Sequence, residues 1–264
     1  MNVSPVHPLG EAATLVAGIA LVVLPLALAV WAAVEIGVRF LPAGLEARWF
    51  ADLAPDAALG GDPRREMVEA LVGRLARHWE GNPYAFRAGV LPEDAPNAFA
   101  LPGGVIVVTS GLLDGVGSEN ELAFVLGHEL GHFRHRDHLR ALGRQTFLAV
   151  VWAALATGGV GSTLPQTVSS LAERGFSRDQ ERAADAFGLA LLHAEYGHVA
   201  GAGGFFTRLP DAEGGVGARL SSWVATHPMS AERLDALHDT ARAAVYAEEG
   251  TQTPLPATWR EAAQ

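Results

Sequence analysis

The residues whose types and spacing support chemistry lie in Ser118-Glu-Asn-Glu-Leu-Ala-Phe-Val-Leu-Gly-His-Glu-Leu-Gly-His132, which contains His-Glu-x-x-His. On a helix advancing about 100° per residue, His128 and His132 stand about 40° apart and one turn displaced, so both imidazoles reach one ion at about 2.0–2.1 Å. Glu129 projects beside them, where a carboxylate takes the proton of a water that zinc has acidified toward a pKa of about 7. The chain has no cysteine. A thiolate site and a disulfide framework are therefore both excluded, and any metal is held by histidine and carboxylate. The same five-residue pattern also arises on ordinary solvated helices, so its meaning depends on a third ligand supplied from elsewhere.

Two places offer that ligand. In Phe133-Arg-His-Arg-Asp-His138 the last histidine stands where the third histidine of a metzincin falls, but position 135 is His instead of the glycine that turns the chain back. If the helix runs on, His138 points about 240° away from His132. His135 and His138 then read as a solvated basic face. Ser177-Arg-Asp-Gln-Glu-Arg-Ala-Ala-Asp185 is the better source. Glu181 there completes a His₂Glu zinc site, one Zn²⁺ per chain, and Asp185, four residues on, hydrogen-bonds a ligating imidazole from behind. By itself Glu-x-x-x-Asp is an ordinary helix face; following a His-Glu-x-x-His helix, it becomes ligand and orienter.

The elements that must position these groups are also legible. Ser118 with Glu121 and Ser177 with Gln180 form capping boxes that start two helices. Leu122, Leu126, Leu130 and Phe133 make an apolar stripe away from the histidines, which predicts an amphipathic helix with its metal face in a cleft. Gly127 and Gly131 each cost about 1 kcal/mol relative to Ala in a helix interior. That cost makes sense if another backbone passes close by. Met67, Leu71, Val72 and Leu75 predict a packing helix that begins at Asp62-Pro63, and Tyr84 to Val90 a short strand. Val105-Ile-Val-Val-Thr109 is the best strand in the chain. It reads equally well as a plain core strand or as an edge that adds an extended peptide, with Asn97, Gly103, Gly104, Val105 and Ile106 as candidate substrate-binding residues. Gly201 to Gly217 reads as a mobile loop, Ser230 as the cap of a last helix, and the stretch after Ala247 as a mostly disordered tail.

From Ala12 to Val34 no residue is charged, and this run of 23 exceeds the roughly 20 that a membrane-spanning helix needs. The sequence thus predicts a single-pass cell-membrane protein: an anchor over 1–40, a connector over 41–63, the catalytic domain over 64–247 and a tail over 248–264. Arg39, Arg48, Arg64 and Arg65 follow the anchor and none precedes it, which favours a cytoplasmic catalytic domain. Residues 146–164 are apolar enough to suggest a second span. They cannot cross once and leave the zinc ligands on one side, and two crossings need roughly 40 residues, more than the uncharged stretch between Arg144 and Glu173 holds. They are expected to pack on the domain or dip into the near leaflet. A formal charge of −10 on 264 residues excludes a nucleic-acid surface, and the oligomeric state is not encoded.

Asn97-Ala-Phe-Ala-Leu-Pro-Gly-Gly104, His128-Glu-Leu-Gly-His132, Glu181-Arg-Ala-Ala-Asp185 and Thr226-His-Pro228 with Arg233, in this order over residues 65–240, resemble the M48 family of zinc metallopeptidases. Four elements in register are far more specific than any one. The resemblance implies an α+β, mainly helical gluzincin domain with a small β-sheet, zinc on His128, His132 and Glu181, and Glu129 as base. It also places His227 and Arg233 near the metal, stabilising an oxyanion or occluding the site. HtpX-like members carry more membrane segments than the one span legible here. The function it implies is endopeptidase action on unfolded or membrane-associated proteins; the alternative is a membrane-anchored, zinc-containing binding or chaperone-like module. In the latter an intact base would have no use, and a structural site usually has a fourth protein ligand.

Overall fold

Two glycines decide how the central helices meet. The computed structural model describes residues 8–50, 59–143, 176–208, 227 and 231–261. In it α5 (Glu119–His135) crosses α6 (Arg178–Tyr196) in the most extensive contact between helices. A Cβ on Gly131 would lie 2.6 Å from Ala184 Cα, and one on Gly127 would lie 3.1 Å from Gly188 Cα. A methyl group on Gly131 would collide with backbone, and one on Gly127 would press against it. This approach brings His128 and His132 on one helix to Glu181 and Asp185 on the other, so the cost of two helical glycines is offset by the site itself. Gly131→Ala should lower stability by about 1–3 kcal/mol, the usual range for overpacking, and weaken zinc binding in parallel, read by thermal melting and metal titration. Unchanged values in both would show that the helix pair is slack.

Both starts of this pair are capped, with one difference from expectation. Ser177 Oγ accepts from the Gln180 amide, and the Gln180 side chain answers by accepting from the Ser177 amide, a complete capping box. Ser118 Oγ accepts from the Glu121 amide, but Glu121 turns its carboxylate to the Gly117 amide and to Arg208. The box is half formed because a guanidinium competes for its second arm. Residues 120–133 are buried on every side of α5, so it is a central helix, covered on its metal face as well as along its apolar stripe. α6 covers one side, and the sheet with α3 (Arg65–Ala76) covers others.

The sheet has three strands in the order β1-β3-β2. β1 (Arg87–Leu91) runs parallel to β3 (Val105–Thr109), and β2 (Ala98–Leu101) antiparallel to it. β3 is therefore central and buried along its whole length, which resolves the even choice in favour of a core strand. The extended stretch predicted over Tyr84–Val90 begins only at Arg87, and β2 was not legible as a strand because four residues between prolines carry little pattern. Gly103 and Gly104 make the tight turn between β2 and β3 at φ +91° and +82°, a region glycine enters without steric cost. After β3 comes the short α4 (Ser110–Gly115).

At the N-terminal end, α1 (Pro8–Phe40) is a 33-residue helix with Pro25 inside it, followed by α2 (Ala43–Trp49). Leu21, Val22, Leu24, Leu26, Leu28, Trp31, Ile36 and Phe40 on α1 are each more than half exposed. Among the described residues no single helix is long and apolar enough to cross a membrane, although Leu24–Phe40 and Ala43–Trp49, bent by 107°, pass that test together. Of the stretch read as a mobile loop over Gly201 to Gly217, Gly204–Thr207 is instead a short helix, α7, with Phe205 and Phe206 buried; residues 146–164, residues 209–217 and Ser230 lie outside the described residues.

Two expectations are overturned. The stretch after Ala247 is ordered along the core: the Glu119 amide donates to Thr253 O (3.0 Å), the Thr253 amide to Asn120 Oδ1 (2.7 Å), and Trp259, in α9 (Ala257–Glu261), donates its indole N–H to Leu113 O (3.0 Å). Its polarity misleads because Gln252 and Thr253 cap the start of α5 and one tryptophan provides the apolar anchor. His138 is buried, not solvated. α5 stops at Arg136, in left-handed conformation (φ +60°), and residues 137–143 start a new helical run that turns His138 inward.

Candidate metal centre

One nitrogen each of His128 and His132 is occupied by a carboxylate. His128 Nδ1 lies 2.8 Å from Asp185 Oδ1, and His132 Nδ1 lies 3.0 Å from Asp137 Oδ2. Each Nδ1 therefore carries the proton and donates, which leaves each Nε2 with a lone pair. These two lone-pair nitrogens face each other at 3.1 Å. Glu181 stands at their open side, its oxygens 3.6 Å from His128 Nε2 and 3.5 Å from His132 Nε2. His227 completes the group, with Nδ1 2.9 Å from Glu181 Oε1 and 3.1 Å from His128 Nε2. Donor atoms from His128, His132, Glu181 and His227 all lie within 4.8 Å of one another, and all four residues are buried.

Lone pairs and a carboxylate that converge in a buried space repel unless a cation sits between them, and imidazole with carboxylate is a donor set that suits zinc. Without a metal the same field acts on protons. Burial alone would lower the pKa of His132, but hydrogen bonds to Asp137 and Glu181 outweigh it and push it up to about 9. Burial and the neighbouring cations hold His128 and His227 below the usual histidine range. Phe176 stacks on the His132 ring at 3.9 Å and 21°, fixing its plane.

Arg233, on α8 (Ala231–Ala243), braces the carboxylates from behind. Its Nε and Nη2 each lie 2.7 Å from an oxygen of Asp185, and Nη1 lies 2.5 Å from Glu181 Oε2. Burial opposes ionisation of Asp185, yet the guanidinium and His128 keep its pKa below the usual carboxylate range. Glu129 has the opposite setting. Both of its oxygens are buried with no hydrogen-bond partner among the described residues, His227 Nε2 is 3.5 Å away, and burial pushes its pKa up. A carboxylate kept bare beside a cation site is suited to accept a proton.

The structure thus brings together His128, Glu129, His132, Glu181, Asp185, His227 and Arg233. The candidate substrate-binding residues are placed differently. Asn97 is buried at the start of β2, where its amide donates to Thr109 Oγ1 and its side-chain oxygen accepts from the Ala98 amide. Val105 and Ile106 have strands on both sides, and the Gly103 amide donates to Glu46. Two residues that orient His132, Asp137 and Phe176, escape reading from sequence. The one acidic residue in Arg134-His-Arg-Asp-His138 was a usable signal for the first.

The sequence model of peptidase family M48 matches residues 63–241, a span that holds every residue of this centre. The chain belongs to peptidase family M48. It is similar to metalloprotease LoiP of Escherichia coli K12, 34% identical over 180 residues that cover 65% of this chain and 68% of the relative. Metalloprotease YcaL of the same organism is 36% identical over 149 residues, covering 54% and 57%. Mitochondrial metalloendopeptidase OMA1 of Bos taurus is 30% identical over 207 residues, 72% of this chain but 39% of that longer protein. With M48 membership and a donor set that fits, the cofactor is zinc and the enzyme class is metallopeptidase.

Proposed function

We propose that this M48 member is a membrane-anchored endopeptidase that hydrolyses peptide bonds in unfolded or membrane-associated proteins, with Glu129 as general base. The observation that carries this reading is the bare, buried Glu129 carboxylate beside the converged donors. A purely structural metal site has no use for such a group. His128, His132 and Glu181 would hold the zinc, which would supply Lewis acidity toward the scissile carbonyl and lower the pKa of the attacking water. Glu129 takes that water's proton and then returns it to the leaving amine. Asp185 and Asp137 hold the two imidazoles in the tautomer that presents Nε2, and Arg233, engaged with Glu181 and Asp185, positions these two carboxylates without touching the reacting atoms.

His227 fills the side from which a carbonyl oxygen must approach. The arrangement therefore reads as a resting, occluded one: His227 withdraws to admit substrate, and its ring N–H then faces the developing oxyanion. Among the described residues the sheet leaves one edge for substrate backbone to pair with. β3 is enclosed, and β1 is covered on its outer side, where its Val90 amide donates to Leu59 O and its Ala88 amide to Glu69. The outer edge of β2, which packs against α5, is left for an extended peptide. Recognition through main chain suits unfolded substrates. The exposed leucines of α1 support anchoring in a bilayer, and the arginines that follow it a cytoplasmic site.

The test is cleavage of casein by the purified full chain in detergent. Activity should vanish with a chelator and return with one equivalent of zinc. Cleavage that survives chelation would overturn the mechanism, and casein binding without cleavage would favour the chaperone-like alternative.

A further inference from the structure

A second buried polar cluster lies outside the metal centre, around a residue that sequence alone places in a connector. Glu46, on α2, is fully buried. Its Oε1 accepts from His138 Nε2 (2.7 Å) and from the Gly103 amide (3.2 Å). Its Oε2 accepts from Tyr84 Oη (2.9 Å) and from Arg136 Nη2 (3.2 Å). A buried carboxylate is costly unless each oxygen is satisfied, and here both are. What sets the cluster apart is where its partners lie.

Arg136 and His138 are the residues on either side of Asp137, the carboxylate that orients His132. Glu46 thus grips both flanks of the orienting group. Gly103 belongs to the turn that ends β2, so the same carboxylate also fixes the end of the proposed substrate edge. Arg136 extends the connection: its Nη1 donates to Val38 O (2.7 Å) and Leu41 O (2.5 Å), closing off carbonyls at the C-terminal end of α1. The backbone of Arg136 argues in the same direction. At φ +60° glycine is the usual residue, since a Cβ is disfavoured there. An arginine in that place is offset by what its guanidinium holds.

We propose that Glu46 is a positioning residue for the metal centre: through Arg136, His138 and the Gly103 amide it ties the end of α1 to the Asp137–His132 pair on one side and to the β2 edge on the other. This rests on the metallopeptidase reading for its purpose, though not for its test. Displacing α1 or removing the Glu46 carboxylate loosens Asp137, hence His132. The N-terminal helix is thereby linked to the metal centre by a chain of side chains and not only by the peptide backbone.

The experiment uses the full chain, with zinc affinity from competition against a chromophoric chelator and ligand geometry from the visible bands of the cobalt(II)-substituted protein. Glu46→Gln keeps the side chain's size and removes its charge. Arg136→Gly suits the left-handed backbone and removes the guanidinium, so it remains informative if the first variant fails to fold. Arg74→Met is the control, because Arg74 bridges Glu119 and Glu195 far from Asp137 and so reports general loss of stability. Glu46→Gln and Arg136→Gly should each lower zinc affinity by about threefold to tenfold, less than the 10–100-fold typical of a group bonded directly to a ligand, and should shift the cobalt bands. Arg74→Met should melt earlier with affinity and bands unchanged. Unaltered affinity and bands in the folded Glu46 and Arg136 variants, or equal shifts in the control, would overturn the proposal. A wild-type chain that binds metal but cleaves no casein would instead refute the peptidase reading and leave this result standing.

Discussion

Glu129→Gln should abolish hydrolysis while one zinc per chain stays bound and the fold is retained. The side chain is isosteric, and neither native oxygen accepts a hydrogen bond, so no partner is stranded by the exchange. Burial of a charge is removed as well, because the group whose pKa burial raises is now neutral. The melting temperature should therefore hold or rise. Turnover should fall by about a thousandfold or more, within the 10²–10⁴ range that a positioned base contributes, which is about 4 kcal/mol in the barrier. Casein cleavage and metal analysis on the same preparation measure both halves. Activity above a tenth of wild type would remove Glu129 from the mechanism, and loss of zinc would mean that the carboxylate ligates instead of accepting protons.

What was legible in the sequence is the part that depends on local chemistry. His128, Glu129 and His132 follow from helical spacing, Glu181 and Asp185 from a second capped helix, and Gly127 with Gly131 from the cost of glycine in a helix. Each of these reports its environment through its own residue type. What was missed depends on the path of the chain. His138 points inward only because α5 breaks at a non-glycine left-handed residue, and nothing in Arg136 announces that break. Glu46 looked like a connector residue because its four partners lie between 38 and 92 positions away. The same reason hid the role of Gln252, Thr253 and Trp259, polar or isolated in sequence yet set against the start of α5. The free sheet edge also moved, from β3 to β2, once strand order was known. Strand order is a tertiary fact that a single strong β-branched run cannot supply.

The largest effect on metal should come from Glu181→Ala, and its size separates two ligand sets that the geometry alone leaves equally compact. His128, His132 and Glu181 form one; His128, His132 and His227 form the other, since all four donors lie within 4.8 Å of one another. Glu181 is the stronger choice on physical grounds. It is held in place by Arg233 at 2.5 Å, on a helix locked to α5 by backbone approach, and the surrounding imidazoles keep it ionised well below the usual carboxylate range despite burial. An ionised, pre-positioned carboxylate needs no reorganisation to accept a cation. Glu181→Ala should therefore lower zinc affinity by more than about 100-fold, beyond the 10–100-fold expected when an orienting partner such as Asp185 is removed. His227→Phe should leave zinc stoichiometry unaltered and change turnover, because it keeps a ring in that position but removes the nitrogens that face Glu181, His128 and Glu129. Competition titrations on the two variants decide the matter together. If the alanine variant retains near-native affinity while the phenylalanine variant loses zinc, His227 is the third ligand and the occluded resting state proposed for this site is wrong.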